Sequence, residues 1–108
     1  MGEREERVAK NEATSREINE RIEDAHARPP DDYFRIVCEC GRRDCARVIA
    51  ISKPEYEAVR SDARSFAVVG THVIPDVEDV VEQTDRFTVV RKHEGTPAEI
   101  VEEEDPRI

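Results

Sequence analysis

The stretch Cys38-Glu39-Cys40-Gly41-Arg42-Arg43-Asp44-Cys45 holds all three cysteines of this 108-residue chain and lies between two apolar runs. The spacing Cys-x-Cys-x4-Cys suits a single tetrahedral ion, because a short turn lets sulfurs converge on a point about 2.3 Å from each. Gly41 favours the same interpretation, since glycine permits the positive φ that turns backbone amides towards thiolate sulfur. Soft thiolates prefer zinc or iron to magnesium or calcium. The sequence therefore predicts a Zn²⁺ knuckle with Cys38, Cys40 and Cys45 as ligands.

The residues on either side of the knuckle predict a β-hairpin. Residues 33–37 and 47–51 are rich in aromatic and β-branched side chains, and the cysteine loop connects them. We expect an antiparallel pair of strands with the metal site at its tip. Ser52 then has the pattern of a helix N-cap, with Pro54 in the first turn and Glu55 three residues after the serine. A short helix with Tyr56, Val59 and Ala63 on its buried face should end near 62–64.

A fourth metal ligand must come from another part of the chain, from water or from a partner. The candidates in the sequence are His26, His72 and His93. We favour His72, because it follows a predicted strand and a glycine, in a loop able to fold back over the hairpin tip. Three thiolates leave a net charge of −1 on Zn²⁺, and Arg42, Arg43 and Arg47 are predicted to compensate it.

The two ends of the chain are strongly charged. We expect residues 1–10 to be a frayed lead, followed by a helix from Asn11 whose thin apolar face holds Ser15, Ile18, Ile22 and Ala25 and which ends at Pro29-Pro30. Residues 94–108 have the composition of a flexible acidic tail. The predicted division is therefore 1–30 for the lead and N-terminal helix, 31–93 for the knuckle domain and 94–108 for the tail.

The remaining segments predict more strands. Residues 65–69 form a short apolar run closed by Gly70, and residues 71–75 should continue as a loop. Residues 76–84 suit either a short helix capped by Asp76 or an edge strand paired with 86–90, and we favour the strand. The predicted fold class is α+β, with an N-terminal helix, a small, mainly antiparallel sheet carrying the zinc knuckle at a hairpin tip, and one short helix.

Charge and hydropathy limit the function classes. The net charge is −9, which repels phosphate backbones and disfavours nucleic-acid binding. No apolar run approaches the roughly 20 residues that a membrane span needs, and the first residues show no signal-peptide pattern. We therefore expect a cytoplasmic protein, in which clustered thiols are metal ligands or redox groups rather than disulfides.

Two resemblances bear on the knuckle. The residues from Cys38 to Arg47 resemble the post-SET zinc motif of lysine methyltransferases, which implies zinc geometry at the three cysteines but no methyltransferase activity in so short a chain. From Asn11 to Arg91 the chain is similar to a family of small uncharacterised actinobacterial proteins with a helix, a Cys-x-Cys-x4-Cys knuckle and a segment like 66–72. That family brings no activity to transfer.

Three functional hypotheses follow. The first is a non-catalytic zinc-stabilised interaction or regulatory module that binds a protein partner through its N-terminal helix or acidic tail. The second is a redox-sensing zinc protein, in which Cys38 and Cys40 form a disulfide and release the ion. The third is a small zinc enzyme with an open coordination position and Glu39 or Asp44 as general base.

Overall fold

The computed structural model describes residues 3–26, 32–42, 45–75, 77–93 and 95–107. The elements, in chain order, are α1 (Glu3–Ala25), β1 (Tyr33–Val37), β2 (Val48–Ser52), α2 (Lys53–Arg60), β3 (Ser65–Val68), a short 3₁₀ turn (Gly70–His72), β4 (Glu78–Gln83), β5 (Thr88–Lys92) and α3 (Thr96–Glu103). The predicted α+β class is confirmed. The predicted helix stop at Pro29-Pro30 and the predicted cap at Asp76 lie outside the described residues.

The β1–β2 hairpin forms as predicted, with the cysteine loop at its tip. The strands are antiparallel, and Phe34 and Ile36 face Ile51 and Ile49 across the ladder. Alternate side chains of both strands enter the core, because successive residues of a strand point to opposite faces. The hairpin thus gives the knuckle a rigid base.

Helix α2 begins with the predicted capping box. The Ser52 side chain accepts the Glu55 N–H, and the Glu55 carboxylate accepts the Ser52 N–H. Tyr56 and Val59 are buried as predicted, but the helix ends at Arg60, so Ala63 lies beyond it. The capping box fixes the direction in which the chain leaves β2.

The remaining strands form a second sheet, with the order β3-β5-β4 and antiparallel pairing throughout. The predicted strand at 76–84 is confirmed as β4, which pairs with β5 and contains a bulge between Val80 and Glu82. The expectation of one sheet is wrong, because the two-stranded and three-stranded sheets share no strand among the described residues. Their inner faces meet in one core.

Helix α1 departs from its prediction in length and in the face that it buries. It begins at Glu3, so residues 3–10 are helical rather than a frayed lead. Ile18 is 45% exposed, and Ala25 is also exposed. The buried face is polar and consists of Glu12, Arg16, Asn19 and Glu23 together with the alanines at 9 and 13. The prediction was wrong for Ile18 and Ala25, whereas Ile22 does pack against the core. Hydropathy alone misassigned the face, because Arg16 and Asn19 find hydrogen-bond partners elsewhere in the fold.

The predicted flexible tail is also wrong, since most of it is ordered. Helix α3 buries Ala98 and Val101, and α3 packs against α1. Beyond it, Arg107 contacts Glu20, Glu23 and Glu57. The C-terminal segment is therefore part of the folded body.

Candidate metal centre

The cysteine loop between β1 and β2 meets the 3₁₀ turn that follows β3 at the tip of the hairpin. At the tip, the Cys38 N–H donates to Arg47 O at 2.9 Å, and the Glu39 N–H donates to Ala67 O on β3, also at 2.9 Å. The second bond ties the knuckle to the three-stranded sheet. The 3₁₀ turn after β3 then carries His72 to the cysteines, and the His72 N–H donates to Val69 O at 2.8 Å.

The structure brings together the four residues predicted as ligands. One ligand atom each from Cys38, Cys40, Cys45 and His72 lies within 4.8 Å of all the others. His72 Nδ1 is 3.6 Å from Cys38 Sγ and 3.5 Å from Cys45 Sγ. A tetrahedral ion with bonds of about 2.3 Å to sulfur and about 2.0–2.1 Å to nitrogen would separate those atoms by about 3.6 Å. The donor set and its spacing therefore fit a metal ion.

The three cysteines are free thiols in different surroundings. Cys38 and Cys40 are buried, whereas Cys45 is partly exposed. Backbone amides point at the buried sulfurs: the Val69 N–H lies 3.2 Å from Cys38 Sγ, and the Arg42 N–H bonds to Cys40. Such amides stabilise thiolate charge, which a metal-binding cysteine must carry.

Hydrogen bonding between the two buried cysteines separates their pKa values. The thiol of Cys38 donates to Cys40, which lowers the pKa of Cys40 to about 5, with a further contribution from the Arg42 amide. The same bond, together with burial, raises the pKa of Cys38. The two sulfurs are therefore close enough to interact strongly, as two ligands of one ion must be.

Gly41 sits where the knuckle touches α1. Its φ is +74°, the positive value predicted from the sequence. A Cβ at this position would lie 2.7 Å from Val8 O and 2.6 Å from Glu12 Cγ, which is too close for either contact. The Asn11 Nδ2 donates to Gly41 O at 3.1 Å. Glycine is therefore required both for the turn and for the approach of the helix.

Glu39, between the first two cysteines, points into the protein and is fully buried. Its carboxylate accepts hydrogen bonds from Asn19 Nδ2 at 2.8 Å, from the Tyr56 hydroxyl at 3.2 Å and from the Ala67 N–H at 3.0 Å. Burial raises the pKa of this carboxyl group, while the bonds from Asn19 and from the Ala67 N–H oppose the rise. The carboxylate connects the hairpin tip to α1, α2 and β3, so Glu39 as a general base is a wrong prediction.

A buried arginine supports the same region from α1. Arg16 is fully buried, and its guanidinium donates to Ala63 O and Val101 O, each at 2.5 Å. It also lies over the Phe66 ring, 4.6 Å from the centroid. Its positive charge favours the ionised form of Glu39.

A second buried charged group includes Glu12, the α1 residue that lies against Gly41. Lys92 Nζ is 2.8 Å from Glu12 Oε1 and 2.9 Å from Glu78 Oε1, and all three side chains are almost completely buried. Burial raises the pKa of Glu12 to about 8, although Lys92 opposes the rise. A protonated Glu12 would leave one ammonium paired with one carboxylate.

The other histidines predicted as alternatives lie away from the cluster. His93 Nε2 is 3.0 Å from Asp79 Oδ1, and the His26 ring packs on Phe34 with the centroids 4.5 Å apart. Arg42 and Arg47 are exposed, so compensation of the metal charge by their guanidinium groups stays a prediction. Arg43 and the candidate base Asp44 lie outside the described residues.

The sequence did not predict a supporting role for the buried polar residues next to the cysteine cluster: Glu12, Arg16, Asn19, Glu39 and Lys92. The α1 members do recur at helical spacing, which is a detectable signal. Hydropathy does not reveal it, because these side chains are polar and polar helix residues ordinarily face water.

The fold and the cluster define a small α+β protein with a group of three cysteines and one histidine suited to a metal ion. No protein-family model, curated protein or solved structure matches the chain. The resemblances to the post-SET motif and to the actinobacterial family therefore stay predictions. Among the described residues, no helix is long and apolar enough to cross a membrane.

Proposed function

We propose that this protein is a small zinc-binding, non-catalytic module in which Zn²⁺ fixes the hairpin tip for contact with a protein partner. The observation that carries the proposal is the convergence of Cys38, Cys40, Cys45 and His72 within 4.8 Å. Zinc is the metal that three thiolates and one imidazole suit best, and it accepts tetrahedral geometry without a redox change.

The donor set supports a structural role. Catalytic zinc has three protein ligands and an open position for water, whereas four protein ligands complete a tetrahedral site. Glu39, the described carboxylate between two of the ligands in the sequence, is fully buried and hydrogen-bonded. The predicted cytoplasmic location suits reduced thiols of this kind.

The proposed partner contact runs through α1 or the C-terminal segment. Both helices are packed into the fold, so each offers only its outward face. On α1 that face carries the half-exposed Ile18 among charged residues.

Metal content tests the zinc assignment directly. Native mass spectrometry of protein purified without added metal should show one zinc per chain, and a strong chelator should remove it with loss of thermal stability. His72→Ala should weaken zinc binding by at least tenfold, whereas the matched variant His93→Ala should not. A folded wild-type chain without metal would overturn the assignment, and equal effects of both variants would exclude His72 as a ligand.

The partial exposure of Cys45 supports a second candidate, redox sensing. Hydrogen peroxide would oxidise the Cys45 thiolate to a sulfenic acid, and a neighbouring cysteine thiolate would attack it to form a disulfide. The two sulfurs lose two electrons, peroxide is reduced to water, and the ion loses two ligands. Mild peroxide should then release zinc and lower the protein mass by two hydrogens, whereas retention of zinc and of all three thiols would exclude this function.

A further inference from the structure

The start of the cysteine loop is anchored by protein groups alone. The Glu39 N–H donates to Ala67 O at 2.9 Å, and the buried Glu39 carboxylate accepts the Ala67 N–H at 3.0 Å. Asn19 Nδ2 on α1 donates to the same carboxylate at 2.8 Å. These bonds need no ion, so the chain as far as Glu39 should keep its place when the metal site is empty.

The part of the loop after Glu39 is held differently. Cys40 and Cys45 are ligands of the proposed ion, and the Cys45 N–H donates to Arg42 O at 3.2 Å within the loop itself. Gly41 O accepts a hydrogen bond from Asn11 of α1. Among the described residues of 40–45, hydrogen bonds thus run to other ligands, within the loop or to α1. A bound ion would therefore fix the segment on which this end of α1 rests.

The N-terminal end of α1 has little else to hold it. A Cβ on Gly41 would lie 2.7 Å from Val8 O and 2.9 Å from Val8 Cγ1, so the helix and the loop are in close contact. Residues 3–11 contain two apolar side chains, Val8 and Ala9, of which Ala9 is buried. Burial of so small an apolar area contributes little, and two helical turns without tertiary support are marginal in water.

The remainder of α1 is attached to parts of the fold away from the loop tip. Glu12 Oε1 lies 2.8 Å from the buried Lys92 Nζ on β5. Arg16 donates to two backbone carbonyls outside α1. Asn19 bonds both the N–H and the C=O of Val37 on β1. From Glu12 onward, the helix should therefore stay docked without the ion.

We infer that occupancy of the metal site controls the docking of the N-terminal end of α1. With the ion bound, Cys40 and Cys45 hold Gly41 in place, and residues 3–11 rest against it. Without the ion, the loop after Glu39 loosens and residues 3–11 separate from it. The inference rests on the proposed function and adds its regulation, because a partner that contacts this end of α1 would distinguish the zinc-loaded protein from the zinc-free one.

NMR relaxation of ¹⁵N-labelled protein tests the inference, with native mass spectra of the same samples to establish metal content. In the zinc-loaded protein, backbone order parameters should be near 0.85 throughout residues 6–25. After a strong chelator has removed the zinc, those of residues 6–11 should fall below about 0.6. Residues 13–25 should stay near 0.85, because their contacts do not depend on the ion.

A substitution on α1 provides the reciprocal test, since coupling between two sites acts equally in both directions. Asn11→Ala removes the bond to Gly41 O and should weaken zinc binding by roughly twofold to tenfold in competition with a chelator. The matched control is Thr14→Ala, which removes an exposed bond to Lys10 O within α1 and brings a similar gain in helix propensity. It should change the zinc affinity by less than about twofold.

The other outcomes distinguish this inference from the zinc function. Unchanged order parameters at residues 6–11 after zinc removal would overturn the inference and leave the zinc function intact. A loss of order along the whole chain would also overturn it, because the ion would then hold the entire fold. Equal effects of Asn11→Ala and Thr14→Ala on zinc affinity would refute the coupling. A folded chain that binds no zinc would refute the proposed function and this inference together.

Discussion

Replacement of Gly41 by alanine tests how α1 and the knuckle depend on each other. The φ of +74° costs an L-residue about 1–2 kcal/mol. The new Cβ would also lie 2.7 Å from Val8 O and 2.9 Å from Val8 Cγ1, so α1 must move away from the knuckle. Overpacking of this kind costs about 1–3 kcal/mol. We therefore expect Gly41→Ala to lower the free energy of unfolding by about 2–5 kcal/mol, a large share of the roughly 5–15 kcal/mol of a typical domain.

Urea unfolding with a fixed excess of zinc measures this loss, and Gly70→Ala is its matched control. Gly70 has no positive φ, and its new Cβ would lie 3.3 Å from Thr88 Oγ1 alone, so we expect a change within about 1 kcal/mol. Gly41→Asn separates the two costs, because asparagine tolerates positive φ but carries the same Cβ. If Gly41→Ala is no less stable than Gly70→Ala, the close contact between α1 and the knuckle is refuted.

Three further predictions test the buried charges. Arg16→Met should lower the free energy of unfolding by roughly 3–5 kcal/mol, because it removes the donor from one buried and one partly buried carbonyl and leaves Glu39 without its nearby cation; a loss no greater than in the exposed control Arg21→Met would contradict its structural role. Lys92→Met should cost a similar amount, and Glu12→Gln in the same chain should recover part of it by removing one unpaired carboxyl group. Additive losses would contradict that coupling. Burial, with a hydrogen bond to Glu57, raises the pKa of Glu23 from 4.5 to about 7, so its contribution to stability is complete below about pH 4.5 and is lost as the pH rises through 7. Stability curves at a series of pH values should therefore fall less steeply between pH 5 and 7 for Glu23→Gln, and parallel curves would refute the assignment.

The features predictable from the sequence are those with local causes. The cysteine spacing, the β-branched runs beside it and the capping box at Ser52 each depend on neighbours within a few residues. The positive φ of Gly41 belongs to the same class. His72 is distant in sequence from the cysteines. It could still be proposed as a ligand, because the strand before Gly70 and the loop after it limit where the histidine can lie.

The missed features depend on contacts distant in sequence. Arg16 is buried only because Ala63 O and Val101 O, 47 and 85 residues away, accept its protons. Charged residues on a helix ordinarily face water, so a pattern based on hydropathy places the wrong side of α1 inside. Helix α3 was missed for a related reason: its buried Val101 lies in an acidic sequence and finds its partners on α1.

The origin of the four ligand atoms has a consequence for folding. Cys38 and His72 are 34 residues apart, one at the tip of the two-stranded sheet and the other just after the first strand of the three-stranded sheet. An ion bound to both would act as a cross-link that closes this loop in the unfolded chain. By the chain-entropy relation for cross-links, closure of a loop of that length is worth about 4 kcal/mol. Metal binding and the packing of the two sheets against each other would thus be thermodynamically coupled, so removal of the ion should weaken the contact between the sheets.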